Sequence, residues 1–306
     1  MFRQSIENEI ELVTLLEIIW KRKWSILLIT SICCLVSLVI SLNLPNIYRS
    51  STLLAGVEDN TGGGMSSLSG QLGGLASLAG VSMSKVETSR VVIAMAIVKS
   101  RSFVKYFVNK HDLSVPLLAA KGWNAGTDQL QFDSDIYDET SGKWVSAEAN
   151  IASDGRVYKV FTDALSINQD KVSGLVTITF ESLSPSFSRK VLSLLVDEIN
   201  ERMRERDVIE AKDSVTYLNS QLEKTSLKGM QQVFYQLIEK QMQKMMLAEV
   251  RNEYVFKIID PPDFPEERIR PKRIIILIIT AACAFVISCA IMLVFAMGKE
   301  LDRNNS

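Results

Sequence analysis

Histidine occurs once in the 306 residues, at His111, and the four cysteines, Cys33, Cys34, Cys283 and Cys289, all fall inside two long apolar runs. The stretch between those runs therefore has no disulfide and no cysteine-based metal site to draw on, and a zinc site or a Ser-His-Asp triad has one imidazole at most. No G-x-x-x-x-G-K-[ST] phosphate loop, G-x-S-x-G elbow, H-E-x-x-H or paired C-x-x-C occurs. The glycine cluster at 62–80 holds no lysine to engage a phosphate. An excess of charge is lacking as well: 34 Lys and Arg stand against 35 Asp and Glu, which points neither to nucleic acid nor to an acidic disordered tail. These absences argue against an enzyme, and they imply no cofactor and no metal.

What is present is hydrophobic length. Ser25 to Leu44 is a run of about twenty mostly apolar residues, and at ~1.5 Å per residue it spans ~30 Å, one hydrocarbon core. Ile274 to Gly298 is uncharged throughout and slightly longer. The first run exceeds a signal-peptide core, and no A-x-A-like site follows it. The expected organisation is a cytoplasmic segment at 1–24, transmembrane helices at 25–44 and 274–297, an extramembrane body at 45–273 and a cytoplasmic tail at 298–306. Lys21, Arg22 and Lys23 put the first flank inside under the positive-inside rule, whereas Arg268, Arg270, Lys272 and Arg273 taken alone argue the reverse. The first helix usually dominates, so both termini are expected inside. Ser37 and Ser41, with Ala284 and Ser288, have the small-xxx-small spacing of packed transmembrane helices.

The leading segment carries Ile10, Val13, Leu16, Ile19 and Trp20 at helical spacing, as an interfacial helix does. Residues 48–57 read as a strand. Residues 61–84 hold seven glycines, Gly70, Gly73 and Gly74 among them, and read as a loop. Residues 87–110 predict one amphipathic helix with Thr88 as N-cap. An aspartate-rich section with Trp123, Trp144, Asp133, Asp135 and Asp138 follows; it lacks the glycine and terminal glutamate of a calcium loop and reads as solvated. Residues 174–181 predict a central strand. Pro185 opens a helix to about Lys224, and a second follows a break near Thr225 and Ser226, giving a helical arm over about 186–250. Its middle, 198–213, is charged nearly all round, which suggests subunit contacts through Glu198, Arg202, Arg204, Glu205, Arg206 and Glu210, or else a solvated face. Residues 253–259 read as a closing strand. Pro261, Pro262, Pro265 and Pro271 predict an extended, stiff connector into the second apolar run.

The helix motif IVKSRSFVKYFVNKHDL, the helical pair and the proline segment IIDPPDFPEERIRPKR, set between two apolar runs, make the chain resemble the Wzz chain-length determinants, polysaccharide co-polymerases of the bacterial inner membrane. The resemblance implies an α+β periplasmic base, a long helical arm and a ring-shaped homo-oligomer with its transmembrane helices beneath. It also implies partners, a separate membrane polymerase and a lipid-linked glycan, and a role: regulating the chain length of O-antigen or a related exopolysaccharide or capsule. Some relatives carry a cytoplasmic kinase after the second span; the tail 299–306 has no nucleotide motif and no tyrosine, which suits the kinase-free group. Gly70, Gly73, Gly74, Trp123 and Trp144 are the candidate glycan or polymerase contacts. Two other readings stand beside it: a periplasmic sensor or export-complex subunit signalling to a separate cytoplasmic kinase, and an acid/base site at the three aspartates.

Overall fold

The computed structural model describes residues 23–57, 90–145 and 153–304, the last thirteen of them as backbone only. Along the chain come α1 (Lys23–Asn43), β1 (Ile47–Gly56), α2 (Arg90–Val98), α3 (Arg101–Lys110), the short α4 (Ser114–Leu118), β2 (Ala120–Asn124), β3 (Gln129–Phe132), β4 (Tyr137–Asp138) and β5 (Lys143–Trp144). Then follow α5 (Asp154–Ala164), β6 (Leu165–Gln169), β7 (Val176–Ser182), α6 (Pro185–Lys224), α7 (Lys228–Val250), β8 (Phe256–Asp260), β9 (Arg268–Arg270) and α8 (Arg273–Asn304). The chain divides into two units, one of residues 1–47 and 268–306, the other Tyr48–Glu267.

In the first unit the α1 and α8 helices pack on each other, and only 11% of each apolar window is buried. Most of Leu28, Val36, Ile40, Ile278 and Val286 stays exposed. A core helix of a soluble domain would hide such residues; two helices long and apolar enough to cross a bilayer, with their outer faces bare, fit lipid as the missing solvent. The second helix continues to Asn304, past the expected boundary at 297.

In the second unit an antiparallel sheet runs in the order β6-β7-β1-β8. The β7 strand is central, as its sequence predicts: β-branched and aromatic residues alternate there, and Val176, Ile178 and Phe180 point into the core with no exposed surface. The α2, α3 and α5 helices and the first half of α6 cover that face. Phe161 lies at its centre, its ring 5.7 Å from Phe107 and 5.5 Å from Phe180. Gly56 ends β1 against the Val91 side chain, where any Cβ would collide.

Two sequence expectations change. The helix expected over 87–110 is broken: Ser100 has extended backbone, and its hydroxyl accepts the Phe103 N–H at 3.3 Å, so it caps a new helix. Thr88, the expected cap, lies outside the described residues, as do the glycine-rich stretch 61–84 and the leading segment 1–22. The aspartate-rich section is not one loop but two hairpins, β2-β3 and β4-β5. The start of α6 agrees with the sequence: Pro185 takes the first turn and the Ser184 hydroxyl accepts the Phe187 N–H at 3.2 Å.

The α6 helix has 40 residues, about 60 Å at the α-helical rise. Its buried positions end at Ala211, and in α7 only Ala248 is buried. Between them the hairpin stands as two helices with no third layer.

Candidate functional site

The charged middle of α6 is where base and arm join. Glu198 is buried and lies inside its own chain: Lys110 Nζ is 2.8 Å from its Oε2, and His111 Nε2 is 3.1 Å from the same oxygen. Burial pushes the Glu198 carboxyl up, but the hydrogen bonds from Lys110 and His111 outweigh it and hold the group below the ordinary glutamate value. The same bond, with Tyr106 beside it, pushes Lys110 up to about 12. About two and a half helical turns beyond, Asp207 accepts from Arg90 Nη2 at 2.6 Å and from the Tyr254 hydroxyl at 2.8 Å, with Lys244 Nζ at 3.9 Å. Between these two carboxylates Asn200 bridges to the sheet: its amide donates to the Phe256 carbonyl at 3.0 Å, and its oxygen accepts the Val255 and Phe256 N–H groups at 2.9 and 2.8 Å. A helix and a strand edge thus exchange three hydrogen bonds through one side chain.

These contacts correct the reading of the charged belt. Glu198 does not face a neighbouring subunit, because its carboxylate is consumed by α3. Arg204 pairs with Glu201 at 2.5 Å one turn back, which holds the guanidinium pKa above its usual value. Arg202, Glu205, Arg206 and Glu210 remain exposed. Arg202, Glu205, Arg206 and Ile209 line one side of a groove of about 400 Å³, and Ile97, Phe103 and Tyr106 line the other. The Arg202 guanidinium sits 5.4 Å from the Tyr106 ring centre, and Lys110 Nζ lies at the same distance. His111 is the neighbour that completes the Glu198 site. Asn200 and Asp207 carried no sequence signal beyond being short polar residues in a helix interior, where side chains of this type need a stated partner.

The remaining candidates scatter. Trp123 donates from Nε1 to Asp128 Oδ1 at 2.8 Å and meets Tyr48 edge-on at 5.4 Å; Trp144 packs on Tyr137 across its hairpin. Asp133 and Asp138 are held below the usual carboxylate value, the first mainly by the Asp135 N–H and the second mainly by the Ser141 hydroxyl. A general acid needs the opposite shift, and no cluster suited to a metal is present among the described residues. Gly70, Gly73 and Gly74 lie outside the described residues. Pro261, Pro262 and Pro265 occupy a stretch without regular structure, where the Ser50 hydroxyl donates to the Asp263 carbonyl at 2.6 Å and Asp263 N–H to the Ser51 carbonyl at 3.1 Å. Pro271 precedes α8. In the helix pair Ser41 and Ser288 are fully buried and Ala284 nearly so, while the Ser37 hydroxyl lies 3.1 Å from that of Thr280.

A mixed helix-and-sheet body between two apolar terminal helices, with a helical hairpin rising from it, defines a membrane-anchored protein without a recognisable catalytic cluster among its described residues. Residues 8–111, about a third of the chain, match the family model Wzz, "Chain length determinant protein", the family that the sequence resembles. The match ends on His111, so it takes in α1, β1, α2, α3 and both side chains that hold Glu198. No curated protein matches the chain. Among solved structures, one described as "full-length bacterial polysaccharide co-polymerase" aligns over 94% of this chain and 97% of its own at 12% identity, with a TM-score of 0.38. A fragment of WzzB, a polysaccharide co-polymerase from Salmonella Typhimurium, aligns over 74% of this chain and 100% of its own at 14% identity, with a TM-score of 0.30. A point mutant of the Shigella flexneri lipopolysaccharide O-antigen chain-length regulator WzzB aligns over 72% of this chain and 99% of its own at 8% identity, with a TM-score of 0.20.

Proposed function

We propose that this protein regulates the chain length of a lipid-linked surface polysaccharide at the bacterial inner membrane, as a non-catalytic scaffold working beside a separate polymerase. The observation that carries the reading is the Wzz match over residues 8–111. In this reading both termini are cytoplasmic, the body is periplasmic, and copies of the chain assemble side by side into a closed ring. The exposed arm supports assembly. On α7, Met230, Val233 and Leu237 form one exposed apolar flank, and Tyr235, Met242, Met246 and Val250 form another. At 100° per residue these flanks lie on opposite sides of the line that faces α6. A head-to-tail ring contact needs two different surfaces on each copy, and exposed apolar stripes of this length mark interaction sites. The Tyr106–Arg202–Arg206 groove is the matching polar surface nearer the sheet.

The test is a gel profile of surface polysaccharide from cells lacking the gene, complemented with wild type or with Tyr235→Ser/Met246→Ser. Wild type is expected to impose a modal length, and the arm variant to lose it while still reaching the membrane. An unchanged profile in the deletion strain, with altered phosphorylation or transcription instead, would replace this reading with a sensor. Deleting residues 62–80 tests the glycine-rich segment as a glycan or polymerase contact; an unaltered length distribution would remove that segment from the proposal.

A further inference from the structure

Among the described residues, two buried side-chain polar atoms have no hydrogen-bond partner, Ser41 Oγ and Arg273 Nε, and both belong to the apolar helix pair. Arg273 lies where α8 begins, and Ser41 lies in the last turn of α1. Close by, Arg273 Nη2 and Arg268 Nη1 donate to one atom, Asn46 Oδ1, at 3.2 and 3.3 Å. An amide oxygen is neutral, so two guanidinium charges converge on an acceptor that neutralises neither. Neither guanidinium pairs with a carboxylate among the described residues. The Arg Nε–H can only donate and the Ser hydroxyl can donate, so the ligand that would satisfy both is rich in acceptors and negative.

A groove of about 410 Å³ runs along the same helix pair, lined by Ile32, Val36 and Ile40 on α1, by Leu44 just past its end, and by Ile276 and Thr280 on α8. The one hydroxyl pair in it, Ser37 with Thr280, is already satisfied within the pair. Leu44 is two residues before Asn46 and Ile276 three after Arg273, so the apolar slot opens where the cations gather. A free anion would use the cations and leave the slot unexplained; a helix from another protein would fill the slot and bring no anion.

We infer that the junction of α1 and α8 is a binding site for a lipid carrying a phosphate ester, its phosphate held by Arg268 and Arg273 over Asn46 and its tail laid in the groove between the helices. The inference rests on the reading that both helices cross a membrane, but on neither the side of the membrane nor the polysaccharide. It also accounts for the four cations, Arg268, Arg270, Lys272 and Arg273, that gather in the six residues leading into α8. Each cation near an anionic lipid surface strengthens binding roughly fivefold.

The full-length protein is reconstituted in nanodiscs of phosphatidylcholine doped with phosphatidylglycerol, a polyprenyl phosphate or uncharged diacylglycerol. It is then released into mild detergent, and the retained lipid is counted by native mass spectrometry. Retention of a phosphate-bearing lipid, with diacylglycerol lost, is expected for wild type. Arg268→Gln/Arg273→Gln should lower retention at least tenfold, and Val36→Trp/Ile40→Trp, which closes the groove and leaves the cations, should lower it severalfold. Lys21→Gln/Arg22→Gln/Lys23→Gln should leave it unchanged. Equal retention of both phospholipids assigns a general headgroup site, and preference for the polyprenyl phosphate a carrier-lipid site; either supports the proposal. Retention that survives both the arginine and the tryptophan pairs, or that falls only in the Lys21–Lys23 variant, overturns it. So does displacement of the lipid by millimolar inorganic phosphate with the tryptophan pair showing no effect. A circular-dichroism match to wild type separates a lost site from a lost fold. Should the helices not span a membrane, wild type would fail to enter the nanodiscs, before any lipid is counted.

Discussion

The two halves of α6 obey different physics. From Pro185 to Ala211 it carries Val191, Leu192, Leu195, Val196, Ile199 and Met203 as a buried stripe against the sheet, with Asn200 and Asp207 hydrogen-bonded beside it. Beyond Ala211 it buries nothing, and its partner α7 leaves Tyr235 60% and Met246 64% exposed. The lower half is stabilised by its own chain. The upper half has apolar surface and no intramolecular layer to cover it, and this difference says where a second copy adds most.

The comparison breaks hardest at the core. Phe161→Ala should cost about 4 kcal/mol, because it opens a ring-sized cavity between Phe107 and Phe180; denaturant unfolding of the detergent-solubilised protein checks this, and a loss below about 1 kcal/mol would show that the sheet is not the foundation of the lower half. Asp207→Ala removes the nearly buried carboxylate that accepts from Arg90 and Tyr254, and breaking that ion pair should cost about 3 kcal/mol in the same measurement. Asn200→Ala strands two strand-edge N–H groups and a carbonyl, for about 2 kcal/mol. Faster amide exchange at Val255 and Phe256 would locate that loss at the seam between α6 and β8.

Acidity sharpens the comparison further. The folded value of Glu198 lies below its unfolded one, so its contribution is complete above the ordinary glutamate pKa of ~4.3 and is lost as pH falls through the folded value. Lys110 is raised to about 12, so its contribution is complete below the ordinary lysine value of ~10.4 and disappears as pH rises through about 12. Between those limits the contributions of Glu198 and Lys110 are constant with pH. Glu198→Gln should remove the acid-side slope and leave arm-mediated association alone. The smallest effect on stability belongs to the upper half: Tyr235→Ser/Met246→Ser should stay within about 0.5 kcal/mol of wild type in unfolding, yet lower the oligomer fraction seen by light scattering.

Much of this division was legible beforehand. The break after Lys224, the start at Pro185 and the central β7 strand each rest on local chemistry: a proline at N1, a hydroxyl cap, a period-two alternation. The split at Ser100 was harder to read, because IVKSRSFVKYF keeps its apolar spacing across the break and only the hydroxyl betrays it. The hairpins at 120–144 escaped because their strands are short and polar. Within the charged belt Glu198 misled, because like and unlike charges along a helix say nothing about which of them other elements will reach.

By itself the sequence determined the two apolar helices, the strand-and-helix composition of what lies between them and the absence of catalytic motifs, since length, periodicity and residue type are properties of neighbouring positions. Only the tertiary structure decided that Glu198 faces Lys110 and His111, that Asn200 stitches α6 to β8, and that Arg268 and Arg273 meet over Asn46. Each of those depends on residues from about 55 to well over 200 positions apart being brought within hydrogen-bond reach, and no local pattern encodes which distant partner a polar side chain will find.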